Sequence, residues 1–176
     1  TDKLQGPALY KIATRGVSTP RVIIVDDRAP YGVMLSQYMR ESVSGQQIVG
    51  TESMPDNTVD WSTTISRVKA LAANVVIYAG YFPQAATLFT QLRNSGYTGI
   101  LAGGDGVLSP SIFQYASPTT LEGVRLSAGT VPLSDINSDF DSPGTSSDYV
   151  SGVESAFGTN VMSFKWTRGC PLGVSL

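Results

Sequence analysis

Apolar positions along the chain fall into two alternating patterns. Short unbroken runs are followed by longer stretches in which apolar residues recur every three or four positions. The run Arg21-Val-Ile-Ile-Val-Asp26 is apolar throughout and closes on an acid, which predicts a strand buried on both faces. Tyr31, Met34, Leu35, Tyr38 and Met39 then recur with helical spacing and predict an amphipathic helix. Gln47 to Thr51 predicts a second strand, and Trp61, Ile65, Val68 and Leu71 a second helix, with Asp60 placed to cap its start. Asn74 to Ala79 is the clearest strand of the chain. Ala85, Leu88, Phe89 and Leu92 follow on one helical face, with Gly96 as the stop. Gly99 to Ala102 and Gly123 to Ala128 predict a fourth and a fifth strand, separated by a helix over Pro110 to Tyr115. At the front, Ala8, Leu9, Ile12 and Ala13 share a helical face, and Pro7 suits its first position. Pro132 to Ser147 has loop composition, and Tyr149, Val150, Val153 and Phe157 predict a last helix ended by Gly158.

Strands that alternate with helices of this length imply right-handed crossovers and a mostly parallel sheet. The expected fold is therefore α/β: a doubly wound, mostly parallel five-stranded sheet with helices on both faces. One domain suffices for 176 residues.

Composition removes several classes of function. The net charge is -2 and only 15% of residues are charged, so there is no electrostatic footprint for nucleic acid. The chain has no histidine and a single cysteine, Cys170, which excludes an internal disulfide, a Cys/His metal site, and Ser-His-Asp or Cys-His catalysis. No apolar run is long enough to span a bilayer. A basic start followed by an apolar stretch is also missing, so the expectation is either a cytoplasmic protein or an export signal outside this chain.

In an open parallel sheet, ligands meet the crevice beyond the carboxyl ends of the strands. Three such ends carry unusual residues: Asp26-Asp27-Arg28-Ala29-Pro30-Tyr31-Gly32, Gly80-Tyr81-Phe82-Pro83 and Gly103-Gly104-Asp105-Gly106. Together they would present two aromatic surfaces and one carboxylate, with glycines that let a ligand approach the backbone. That combination suits a small cation with an apolar body, because a carboxylate accepts bonds from an ammonium and tyrosine rings supply walls. Plainer readings stand beside it, with Asp105 as a turn residue and Tyr31 as packing.

Asp26-Asp27 after the first strand suggests a phosphorylatable receiver, yet no acceptor aspartate follows the third strand, where Tyr78-Ala-Gly-Tyr81 stands. A dehalogenase-like phosphatase would need an acid where Arg28 lies. Cap or structural roles fit this pair better than a metal, and neither a P-loop nor a G-x-G-x-x-G is present. No cofactor is expected.

Val22 to Gly32, the run Ala73-Asn-Val-Val-Ile-Tyr-Ala-Gly-Tyr81, Gly103-Gly-Asp-Gly-Val107 and Gln5-Gly6 resemble, in order, the second lobe of type I periplasmic solute-binding proteins for leucine, isoleucine and valine. The resemblance spans about residues 1–158, taken as one ligand-binding lobe. Residues 159–176 do not match the family pattern and form a tail. What the resemblance implies is an extracytoplasmic, non-enzymatic component of an ABC importer. It would hold an amino acid between two lobes and deliver it to a membrane permease. By position, Tyr31 and Tyr81 would be the aromatic walls and Asp105 the acid that binds the α-ammonium. The first lobe, outside this chain, would bind the carboxylate. The family acid is often glutamate, one methylene longer than Asp105. A ligand-sensing domain of a receptor or regulator with the same fold is the alternative.

Overall fold

The computed structural model describes residues 2–43, 47–128 and 173–175. In chain order the elements are α1 (Asp2–Thr14), β1 (Val22–Asp26), α2 (Pro30–Ser42), β2 (Ile48–Ser53), α3 (Ser62–Ala70), β3 (Val75–Ala79), α4 (Phe82–Asn94) and β4 (Ile100–Gly103). A 3-10 turn (Pro110–Gln114) follows, then α5 (Pro118–Leu121), β5 (Arg125–Ser127) and β6 (Gly173–Ser175). The sheet order is β2-β1-β3-β4-β5-β6, with the first five strands parallel. The sixth strand, β6, pairs antiparallel with β5 and comes from the tail, where no strand was expected. The expected loop over 132–147 and helix over 149–157 lie outside the described residues.

Why the central strands read as continuous apolar runs is visible in their packing. In β1 and β3 every residue is buried. Successive side chains point to opposite faces, so one strand serves two layers. Ile23, Val25, Val76, Tyr78 and Leu101 pack with Trp61, Leu88 and Phe89 from the α3 and α4 side. Val22, Ile24, Val75, Ile77 and Ala102 pack with Leu9, Leu35 and Met39 from α1 and α2. Helices cover both faces, as the alternation of patterns implies.

The helix expected over Pro110 to Tyr115 is a 3-10 turn, Pro110–Gln114, and two α-helices differ in detail from the pattern. Pro7 lies inside α1 and not at its first position, so one backbone bond is given up within the helix. In α2 the buried set is Gly32, Leu35, Ser36 and Met39, whereas Met34 is exposed. Small residues turn inward there because α1 and α2 cross closely. A Cβ on Gly6 would stand 2.8 Å from the Tyr38 Cβ and 3.0 Å from the Met39 nitrogen. Hydropathy does not register a small residue at a close crossing.

The order β2-β1-β3 places the reversal of winding between β1 and β3. The loops leaving the carboxyl ends of those two strands diverge there to opposite faces of the sheet, which opens a crevice. Those loops lead to Tyr31 and Tyr81.

Candidate functional site

Each of the three strand-end residues reaches the site by a separate device. After β1 the chain turns sharply at Arg28, whose φ of 63° is left-handed. Asp26 and Asp27 hold this turn. Asp26 Oδ1 accepts from the Arg28 amide at 3.1 Å and the Ser53 hydroxyl at 2.5 Å, and Asp27 Oδ1 accepts from the Ala29 amide at 3.0 Å. Pro30 then opens α2 with its φ already suited to a helix, and Tyr31 follows. Pro83 has a similar part as the second residue of α4, which Phe82 opens directly after Tyr81. The Asp105 loop closes on itself through Val107 N to Gly104 O and Leu108 N to Asp105 O, both 3.0 Å. It is joined to the Tyr81 loop by Phe82 N donating to Gly106 O at 3.0 Å.

These devices bring Tyr31, Tyr81 and Asp105 together. The Tyr31 hydroxyl donates to Asp105 Oδ1 at 2.5 Å, and the rings of Tyr31 and Tyr81 lie 5.6 Å apart, tilted by 42°. Burial, and then the carboxylate beside it, push the Tyr31 hydroxyl well above the ordinary tyrosine range. Tyr81 is 47% exposed and Asp105 is exposed too, so the group forms an open ledge at the carboxyl edge of the sheet. A hollow of about 280 Å³ lies at the other edge, between α3 and α4, lined by Val68, Asn74, Leu92 and Tyr97. No carboxylate lines it, and it is remote from the ledge.

The glycines around Asp105 have a different purpose from the one expected. A Cβ on Gly104 would strike the Tyr31 hydroxyl and stand 2.8 Å from Leu35 Cδ2. One on Gly106 would lie 2.6 Å from the Gly80 carbonyl and 3.1 Å from Tyr31 Cε1. The space left by the missing side chains is filled by the tyrosine rings and the neighbouring loop, so these glycines admit protein instead of ligand.

Two further side chains belong to the site. Gln5 Nε2 of α1 donates to Asp105 Oδ1 at 2.9 Å and to the Ser127 hydroxyl of β5 at 3.3 Å. Gln5 entered the sequence reading only as a marker of resemblance, and Ser127 did not enter it. A signal was present for the first. Gln5 lies one helical turn before Leu9 on the apolar stripe of α1, and a polar residue there must find a partner inside the fold.

Beneath the ledge, Asp27 and Tyr78 are buried, and Asp27 Oδ2 and the Tyr78 hydroxyl have no hydrogen-bond partner among the described residues. Burial, with the Asp26 charge adding to it, raises the Asp27 carboxyl above the usual carboxylate range. Burial followed by the Asp27 charge raises the Tyr78 hydroxyl.

Known proteins align with this chain. The family described as periplasmic binding protein matches residues 4–164. The Leu/Ile/Val/Thr-binding protein of Salmonella typhimurium is 27% identical over 117 residues, which is 65% of this chain and 32% of that protein. Among solved structures, a leucine binding protein of Thermotoga maritima superposes with a TM-score of 0.74 at 21% identity, covering 91% of this chain and 44% of its own. The branched-chain amino acid transporter substrate binding protein of Streptococcus pneumoniae, solved in complex with isoleucine, gives 0.71 at 18% identity, over 89% of this chain and 43% of its own. This chain thus spans about a third of the length of the curated relative and under half of the two structures. With the match running over nearly all of its length and the fold agreeing, the chain belongs to the periplasmic binding protein family.

Proposed function

We propose that this chain is the second lobe of an extracytoplasmic solute-binding protein that captures a branched-chain or similar amino acid for an ABC importer. Residues 1–158 constitute the lobe in this reading. Asp105 receives the α-ammonium of the ligand, and Tyr31 and Tyr81 flank its apolar body. The single observation that supports this most is the convergence of one carboxylate and two phenol rings on the ledge beside the winding reversal. A carboxylate at this position takes charge-assisted bonds from an ammonium, and the tilted ring pair offers a face to a cation as well as an apolar surface.

An open ledge contacts only one side of a ligand. The opposing lobe, with groups for the ligand carboxylate, closes the cleft and excludes water. Delivery to a membrane permease belongs to the two-lobed protein. Among the described residues no helix is long and apolar enough to cross a membrane. The chain's role is capture and not turnover, consistent with a sequence without histidine.

Calorimetric titration of the full-length protein with leucine, isoleucine and valine tests the reading. Binding of at least one is expected, and Asp105→Asn should weaken it by ~1.5–3 kcal/mol, ten- to a hundredfold. Absence of binding to any amino acid would overturn the proposal. An Asn variant with wild-type affinity would remove Asp105 from it.

A further inference from the structure

Both N–H groups of the Gln5 amide are committed. One is donated to Asp105 Oδ1 and the other to Ser127 Oγ, at 2.9 and 3.3 Å. An ionised carboxylate only accepts, so the amide nitrogen and not its oxygen must face Asp105. Gln5 is 9% exposed and Ser127 1%, so the amide is enclosed and held by β5. Its own element is tied down as well. Arg125 of β5 donates to the carbonyls of Ile12, Ala13 and Arg15 at the end of α1, at 3.1, 3.0 and 2.7 Å.

Asp105 Oδ1 takes the Tyr31 hydroxyl as well as the Gln5 amide. Two donors fill the lone pairs of that oxygen. They arrive from different elements, so together they set the rotation of the carboxylate as well as its place. The second oxygen, Oδ2, accepts no hydrogen bond from the described residues. Without Gln5, the Tyr31 contact alone would leave the short side chain free to pivot about one bond.

We propose that Gln5 is a positioning residue of the ligand site, which together with Tyr31 holds Oδ1 of Asp105 so that Oδ2 is the oxygen presented to the ammonium of the ligand. This rests on the amino-acid-binding reading above and adds to it a residue on α1, 100 positions away in the chain from the acid it orients. Ligands with an ammonium gain from the preset oxygen, whereas ligands that lack one do not.

Two measurements decide it. In the first, the full-length protein and its Gln5→Leu and Gln5→Asn variants are titrated with leucine and with isocaproate, which is leucine without its amino group. Both variants should bind leucine about tenfold more weakly, as loss of a bond to a charged group implies, with isocaproate binding unchanged. In an Asp105→Asn background Gln5→Leu should add little further loss. An equal loss for isocaproate would mean a general structural role and overturn the proposal, as would undiminished leucine affinity. Gln5→Asn keeps the amide but withdraws it by one methylene, so it serves if the leucine variant does not fold. The second measurement is a crystal structure of the unliganded variant, in which the Asp105 carboxylate should leave its place or split between conformers. An undisturbed Asp105 would overturn the inference. Should the wild-type protein bind no amino acid, the functional reading fails and the crystallographic result still decides whether Gln5 orients the acid.

Discussion

Tyr31 donates its hydroxyl to Asp105 at 2.5 Å across 74 residues of chain, so the first turn of α2 and the loop after β4 are joined through side chains. The same ring lies against Tyr81. Tyr31→Phe separates these two contributions. The phenyl ring preserves the wall, while Asp105 loses one of its two donors, and the expected cost is about tenfold in amino-acid affinity. Tyr31→Ala should cost more, because the wall disappears with the hydroxyl. Calorimetry on both variants checks this, and a Phe variant indistinguishable from wild type would leave the hydroxyl without a part in binding.

Alkaline titration should reveal four reluctant tyrosines. Burial raises the hydroxyls of Tyr10, Tyr31, Tyr78 and Tyr97 above their ordinary value, which is about 10 in an unfolded chain. The unfolded state therefore releases these protons first. Their contribution to stability is complete below about pH 10 and is lost as pH rises toward the folded values. Ultraviolet titration should show fewer tyrosines ionising near pH 10 than the eight in the sequence, with the remainder ionising as the protein unfolds. Ionisation of all of them together near pH 10, with the fold intact, would contradict the burial argument.

Asp27 has the opposite consequence to an ion-paired acid. Its carboxyl is raised by burial, so the unfolded chain loses this proton first, from about pH 4 upward. Each step up in pH through that window then favours unfolding. Asp27→Asn retains an oxygen for the Ala29 amide and abolishes the titration. The variant should gain stability relative to wild type as pH rises from 4 toward neutrality, and show no such trend below about pH 3. Urea unfolding at several pH values measures it, and a variant that loses ground with rising pH would reverse the assignment.

Gly80 is a tight point under the ledge. A Cβ there would stand 2.6 Å from Asp27 Oδ2 and 2.8 Å from Tyr78 Cε1, both on buried side chains. Gly80→Ala is expected to destabilise the protein by about 1–3 kcal/mol, the usual cost of overfilling a packed interior. It should also weaken ligand binding, since Tyr81 is the next residue. Chemical denaturation and calorimetry on one sample test both effects, and full stability with full binding would show that the loop yields at no cost.

How much of this was readable along the chain depends on how far apart the interacting residues are. The strands β1 and β3 were evident because burial on both faces leaves an unbroken apolar run. Asp60 and Gly96 marked helix ends through local backbone preferences, and Asp60 accepts from the Ser62 amide at 2.9 Å from one place ahead of the N-cap residue Trp61. Gly96 has the left-handed φ of 83° that a helix stop favours. Met34 was misplaced because the close crossing of α1 and α2 draws in Gly32 and Ser36 instead, and small residues carry little hydropathy signal. The strand β6 is only three residues long and owes its place to pairing with β5, for which no local pattern exists.

For the site, the sequence alone determined that Tyr31, Tyr81 and Asp105 follow three strands of a parallel sheet and therefore lie at one edge, because strand direction and alternation are local properties. Only the tertiary structure decided what each does there. It showed that Asp105 Oδ1 is held by Tyr31 and Gln5, that Gly104 and Gly106 make room for phenol rings, and that Asp27 is buried with one oxygen unpaired among the described residues. Those facts depend on contacts between residues distant in sequence, whose geometry is set by the packing of whole helices against the sheet and leaves no periodic trace in the chain.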